Sequence, residues 1–359
     1  MAVKKNETVK QYKLRARLPK ILGLAAAAVL VVATGLIAYS IFFRNSDPTF
    51  RMSNFPANLS VDVVATVNGY ERREMDGQRT LYFIRADKAT SFADNHQELE
   101  NVFLGVFSED GASSDKISAL KAVYVPADNK NFTAYFAGSV NIDTRDQLKV
   151  KTEQVTYTKE NEIATAEEAV EFERSNVRGK SFGAIVRVRE KQAELLKDVE
   201  IHADGESGNE RSTLTAGHAI YDQGNERIDL SSNMTAAMLS VPKVGGPVRS
   251  SNLKAGRSTA FLAAATDEDR SVDKIELFDN VHIESREGDG PLTKIEAQYV
   301  HYQKPIDRFD LRGGVNIFTE GGPHPTEVRA DNAVYEQDDG QIDLTGNASV
   351  AQGSSVVKG

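Results

Sequence analysis

The side chains capable of covalent or acid–base chemistry are present in this chain but not at the spacings that chemistry needs. The stretch RGKSF brings Gly179, Lys180 and Ser181 together as the end of a phosphate-cradling loop would, but the loop's opening glycine would fall on Arg174. The six histidines are scattered. His218, His282 and His301 fall singly on strand-like stretches, and His96, His202 and His324 fall in or near polar ones. Neither His-Glu-x-x-His nor Gly-x-Gly-x-x-Gly occurs, and there is no cysteine for a disulfide or a thiolate metal site. No catalytic residue, metal site or cofactor is predicted.

The chain does repeat an apolar pattern. RFDLRGGVNIF, residues 308–318, alternates Phe309, Leu311, Val315 and Ile317 with Asp310, Arg312 and Asn316, and Gly313 interrupts the apolar set. The same frame fits Ala134, Phe136, Gly138, Val140 and Ile142, and again Ala193, Leu195, Lys197, Val199 and Ile201. Further copies centre on Ser232, Asp279 and Gly346, and a weaker one joins Ala166, Glu168, Val170 and Phe172. Read at the fourth position, the seven copies stand 29 to 47 residues apart. Repeats at such intervals mark stacked supersecondary units.

Strict alternation is the period of a strand with one wet face and one apolar face. Three copies are preceded by an alanine five residues before a tyrosine, with a leucine nine after it: Ala216, Tyr221, Leu230; Ala297, Tyr302, Leu311; Ala330, Tyr335, Leu344. Turn formers lie between tyrosine and leucine, at Gly224-Asn225, Pro305-Ile306-Asp307 and Asp339-Gly340. The unit is therefore predicted to be an antiparallel hairpin of about 30 residues. A parallel β-helix would have shorter rungs and no hairpin turns, so the fold predicted is an all-β antiparallel roll. Helical signal after residue 44 is confined to ADNHQELEN, residues 93–101, which reads as at most a turn.

The middle of the frame is held by Gly138, Gly313 and Gly346 in three copies, and by Ser232, Lys197, Asp279 or Glu168 in the others. These residues are expected on the inward face, where unpaired charge is too costly for a closed core. Two compatible readings follow. The strand kinks or bulges there, or the two walls splay apart and leave an apolar-lined trough with water at its mouth.

Residues 21–43, ILGLAAAAVLVVATGLIAYSIFF, carry no charge. At about 1.5 Å per residue they reach roughly 34 Å, enough for a bilayer core of about 30 Å. Lys4, Lys5, Lys10, Lys13, Arg15, Arg17 and Lys20 precede them against one acid, Glu7, which holds residues 1–20 in the cytoplasm. A cleaved signal peptide would have a shorter apolar core and small residues at its end, whereas this one ends in Ile41, Phe42 and Phe43. Seven of the 43 basic and one of the 52 acidic residues lie before residue 44, leaving a net −15 beyond it. So acidic a body excludes nucleic acid as a partner.

The order of these features resembles the LptC family. The resemblance rests on the basic tail, the single anchor, GQRTLYFIRADKA, LKAVYVPADNKNFTAYFAGSVNI, LKVKTEQVTYTKENEIATAEEAVEF and GKSFGAIVRVREKQAELLKDVEI. The stretch 212–353, with ADNAVYEQDDGQIDLTGNASV, is similar to the LptA/OstA repeats. An ordinary LptC-like protein has one roll, and this chain has about twice the repeats. The expected domains are 1–20, the anchor 21–43, an LptC-like roll 44–204 and an LptA-like roll 205–359.

The resemblance implies an open β-jellyroll that shelters the acyl chains of lipopolysaccharide. It implies as partners the inner-membrane ABC transporter subunits (LptB2FG-like) and an LptA-like periplasmic bridge, joined edge to edge by strand addition. It places the protein in the inner membrane with most of the chain periplasmic. The expected lining is Leu81, Phe83, Phe136, Val140, Ile142, Val170, Phe172, Leu195, Val199 and Ile201 in the first roll, and Leu311, Val315 and Ile317 in the second. Two other readings compete. One is a structural stalk that uses the same edges without lipid. The other is a surface enzyme acting on polysaccharide, which would show clustered acids and aromatics at one cleft, and tryptophan is absent.

Overall fold

The alternating stretches form strands, and they pair in the order in which they occur. The computed structural model describes residues 48–108, 110–128, 131–145, 147–204, 210–241, 246–262, 272–306, 308–321, 324–336 and 341–359. The predicted tail 1–20 and anchor 21–43 lie outside them. Among the described residues no helix is long and apolar enough to cross a membrane, and a 3-10 turn at Lys304–Ile306 accompanies the strands.

Strands β1 (Val63–Asp76), β2 (Arg79–Phe92), β3 (Gln97–Phe107), β4 (Ser114–Pro126), β5 (Phe132–Asp143), β6 (Lys149–Thr158), β7 (Ile163–Arg174), β8 (Val177–Arg187) and β9 (Gln192–Asp204) form an antiparallel meander. Next to β9, β10 (Glu210–Ala216) and β11 (His218–Asp222) share the place of one strand, followed by β12 (Arg227–Ser240), β13 (Arg249–Leu262), β14 (Val272–Glu287), β15 (Leu292–Gln303), β16 (Arg308–Glu320) and β17 (Thr326–Glu336). β18 (Gln341–Thr345) and β19 (Ser349–Gln352) share the next place, and β20 (Ser355–Lys358) ends the sheet. Among the described residues all 20 strands belong to one sheet, with β1 and β20 as its edges. The segment 93–101, expected as at most a turn, contains the start of β3 at Gln97.

The sheet curls over on itself. Tyr82 is in register with Val106, and Val106 with Asp115 near the start of β4. Phe132 is in register with Pro126 at the other end of β4. A straight strand would separate Asp115 and Pro126 by about 35 Å, yet the Tyr82 and Phe132 rings lie 4.9 Å apart. The two ends of the strands therefore face each other, and the apolar faces lie between them.

The long inner strands turn the corner near their middle by one of two steps. In β5, β12, β14 and β16 the inward residues step by four: Phe136 to Val140, Leu230 to Met234, Leu277 to Val281, and Leu311 to Val315. In their neighbours they step by three: Thr152 to Val155, Ala255 to Ser258, Ala297 to Val300, and Ala330 to Ala333. The longer step holds one extra residue, so the ladder shifts register at Ala137/Val140, Ser231/Met234, Phe278/Val281 and Arg312/Val315. Positive-φ pairs fill these bulges: Gly138 and Ser139, Ser232 and Asn233, Asp279 and Asn280, Gly313 and Gly314. Gly346 and Asn347 do the same between β18 and β19.

The expected inward placement of the frame's middle position needs correction. Ser232, Asp279, Gly313 and Gly346 are exposed, because the bulge carries them off the apolar face. Lys197 is exposed as well, Glu168 is half-buried, and Gly138 is buried with Ser139 exposed beside it. The polar residues accepted at this position therefore report solvent at the corner rather than water inside the roll.

Ahead of β1, residues 49–59 cross the outer side of β4–β6. Met52 is buried on Val123 and Tyr135, with Phe50, Phe55 and Leu59 packed against them. The backbone N–H of Arg51 donates to Gln154 Oε1 at 2.8 Å, and Gln154 Nε2 donates to the Thr49 carbonyl at 3.0 Å.

Candidate functional site

Two apolar clusters line the interior. The first includes Tyr82, Ile84, Leu104, Tyr124, Phe136 and Val140, and the second includes Val199, Leu230, Leu277, Val281, Val300 and Leu311. Leu195 packs against both, so the lining passes from one to the other without a polar break at that residue. The deepest side chains are shut off from water, with Val281 and Val300 at 0% exposure and Phe136 at 1%. Half-buried Ile142, Ile201, Ile228, Ile283, Ile295 and Phe309 stand at the rim. The interior is thus a closed apolar seam with an apolar mouth.

Most of the expected lining residues come together here. Phe136, Val140 and Val170 are buried in the first cluster, with Leu81 and Ile142 packed against it. Val199, Leu311, Val315 and Ile317 are buried in the second, with Ile201 against it. Phe172 lies over Gly179, its cross-strand partner, where a Cβ on the glycine would meet the ring.

Phe83 does not belong to the lining. Period 2 puts Tyr82, Ile84 and Ala86 inward, so Phe83 points outward and packs on Phe103 at 5.4 Å and Phe107 at 6.1 Å. Tyr82 is the inward aromatic of that strand, and the phase of the buried Ile84 and Ala86 is the signal that identifies it. At this end the Phe132 ring contacts those of Tyr82, Tyr124 and Tyr157, at 4.9 to 6.0 Å between centres. Burial pushes the Tyr82 and Tyr157 hydroxyls well above the ordinary phenol range.

Hydroxyls within the apolar wall are turned to the backbone. Thr152 Oγ1 donates to the Ala169 carbonyl at 2.9 Å and Ser181 Oγ to the Gly183 carbonyl at 3.1 Å. Residues 179–183 spell Gly-x-Ser-x-Gly, but this serine lies within β8 with its hydroxyl committed to that bond, not on a strand-to-helix turn. On the outer face Glu194 accepts from His218 at 2.9 Å and from Arg187 at 3.0 Å, and Ser231 Oγ lies 3.4 Å from His218 Nδ1. The bonds from His218 and Arg187 hold the Glu194 carboxyl below its usual range. These are cross-strand pairs on a wet face. Among the described residues no group of three metal-ligating side chains forms.

Residues 28–204 match the family described as lipopolysaccharide-assembly, LptC-related. The chain is an LptC-family protein. Residues 249–359 match the LptA/(LptD N-terminal domain) LPS transport protein family, so this LptC-family chain carries a second, LptA-like region in its C-terminal half. Both matches place the LptC-like chain in lipopolysaccharide transport by a periplasmic bridge, among transport proteins rather than enzymes. No curated protein matches it.

Proposed function

We propose that this LptC-like protein is anchored in the inner membrane by residues 21–43 and carries lipopolysaccharide acyl chains in its apolar seam. It receives them from an inner-membrane ABC transporter and hands them to a soluble, LptA-like bridge. The observation that carries the reading is the lining itself, two clusters joined at Leu195 and rimmed by half-buried isoleucines. Hydrocarbon needs apolar area and no polar code, at about 25 cal/mol per Å² buried.

Because the seam is closed, chains enter by parting the walls. Wall–wall contacts are then exchanged for wall–lipid contacts of the same chemical kind, so the opening exposes little apolar surface to water. In this reading the LptA-like half extends the seam by one module, with residues 44–204 and 205–359 as the two rolls. Edge strand β1, which follows the anchor, meets the transporter, and the β20 edge meets the bridge by strand addition.

The closed interior favours a second reading, a stalk that joins partners through the same edges and holds no lipid. Purification of the full chain from membranes, with mass spectrometry of bound lipid, separates the two. The conduit reading expects lipopolysaccharide with the wild type and its loss in Val140→Asp. A folded wild type free of lipid would leave the stalk.

A further inference from the structure

Edge strand β1 carries an ion pair on its apolar side. Tyr70, Arg72 and Glu74 are half-buried between exposed neighbours, and they pair with Ala86, Ile84 and Tyr82, all buried in the first cluster. Alternation therefore points all three into the seam. The Arg72 guanidinium reaches across to the facing wall and sits 5.4 Å from the centre of the Tyr124 ring. Its carboxylate partner Glu74 is 3.6 Å away, beyond hydrogen-bond length, and both side chains keep some contact with water, 32% and 24% exposed.

Beside Arg72 is a small gap in the packed apolar core, bounded by the buried Ile84, Leu99, Leu104, Tyr124 and Phe136, among other residues. Ile84 is the register partner of Arg72, and Tyr124 is the ring under its guanidinium, so the cation stands next to that gap. Hydroxyls gather around it: Tyr82 and Tyr124 lie 3.4 Å apart, and Tyr70 donates to Gln97 Oε1 at 2.9 Å. A guanidinium that bonds the Tyr70 hydroxyl and holds its carboxylate only loosely, with phenols around it and apolar side chains beside it, matches an amphiphile with an anionic head. A phosphate monoester carries about −1.5 to −2 charge and accepts a bidentate fork, so it outcompetes the single charge of a loosely held carboxylate.

We infer that Arg72 is a binding residue for a phosphate group of the acylated lipid, whose chains part the packed wall between Ile84 and Phe136 while Glu74 is displaced. This inference rests on the conduit reading and adds to it a recognition element at the β1 end. The phosphate-bearing lipid is thereby selected over an uncharged one as it is loaded.

The test uses the full chain in lipid nanodiscs, with a photoreactive residue at Phe136. It is titrated with the lipid moiety of lipopolysaccharide in phosphorylated form and after enzymatic dephosphorylation. Arg72→Gln is expected to weaken crosslinking of the phosphorylated lipid about tenfold and to leave the dephosphorylated lipid unchanged. Arg72→Lys is expected to fall between Arg72→Gln and the wild type, and millimolar inorganic phosphate should leave the adduct in place. Three results would overturn the assignment: equal binding of the phosphorylated lipid by Arg72→Gln and wild type, equal weakening of both lipids, or displacement by inorganic phosphate alone. Absence of any adduct in the wild type, with either lipid, would remove the conduit reading itself and this inference with it.

Discussion

Gly256 of β13 faces Asp279 of β14 across the corner of the sheet so closely that a Cβ on the glycine would stand 2.8 Å from the aspartate Cβ. The same exclusion recurs along the ladder with roles exchanged. Gly217 gives way to Ser232, at 2.5 Å, whereas at Gly313 and Gly346 the bulged strand supplies the glycine and its neighbour keeps Gln298, at 2.8 Å, or Asp331, at 2.9 Å. At each of these four corners one of the two facing residues is a glycine, and either strand can carry it. This is why a corner position tolerates glycine, serine or aspartate.

The corner can be tested by moving the glycine to the other strand. Gly313 has φ +82° as well as a close neighbour, so Gly313→Asp is expected to cost about 2–3 kcal/mol in urea unfolding. Adding Gln298→Gly recreates the Asp279–Gly256 arrangement and is expected to couple favourably by about 1 kcal/mol or more in a double-mutant cycle. At Gly314 nothing lies within 4 Å of a Cβ, so Gly314→Ala should cost only about 1 kcal/mol, from its positive φ.

Leu195 joins the two clusters. Leu195→Ala is expected to lose about 2 kcal/mol of stability, the low end for a leucine that is only half-buried. Leu195→Glu tests passage rather than packing. Lipid adducts at Phe136 should persist while those at Leu311 disappear. Retention of both would mean that the halves load independently.

Alkaline pH should weaken the β1 end of the roll. The Tyr82 and Tyr157 phenols are raised chiefly by burial, so the folded state keeps its protons while the unfolded chain loses them near pH 10. Stability is then full below about pH 10 and falls as pH rises above it. Tyr157→Phe should flatten this fall in chemical unfolding followed between pH 8 and 12, and an unchanged slope would assign it to other groups.

The β20 edge exposes Val356 and Val357, at 59% and 68%. Lysine at both positions should block strand addition there, as edge charges do. The expected outcome is loss of bridge-protein capture by the full chain, with lipid crosslinking at Phe136 unchanged. Loss of both would indicate unfolding of the last strands instead.

How much of this was legible in the sequence follows from the two corner steps. Strands that step by four keep strict alternation, so Phe136, Val140, Leu311, Val315 and Ile317 can be read as one face without the structure. Their neighbours step by three and change phase at the corner, so Thr152, Val155 and Tyr157 or Ala330, Ala333 and Tyr335 surface only as an alanine or threonine five before a tyrosine. Phe83 shows the limit of reading one strand alone. In GQRTLYFIRADKA either Tyr82 or Phe83 could face inward, and the phase of Ile84 and Ala86 is what decides it. The glycines marked the corners because a local backbone demand leaves a local residue signal. The Arg72–Glu74 pair carried no such signal, since an inward charge on an edge strand looks like any exposed one.

In the proposed function the seam carries acyl chains from one half of the chain to the other. The most direct measurement is in-cell photo-crosslinking with the reactive residue at Phe136, at Leu311, and at outward Lys254 as the control. Lipopolysaccharide adducts are expected at Phe136 and Leu311 and none at Lys254. Silence at both inward positions in a correctly inserted, folded protein, or adducts of equal strength at all three, would contradict it.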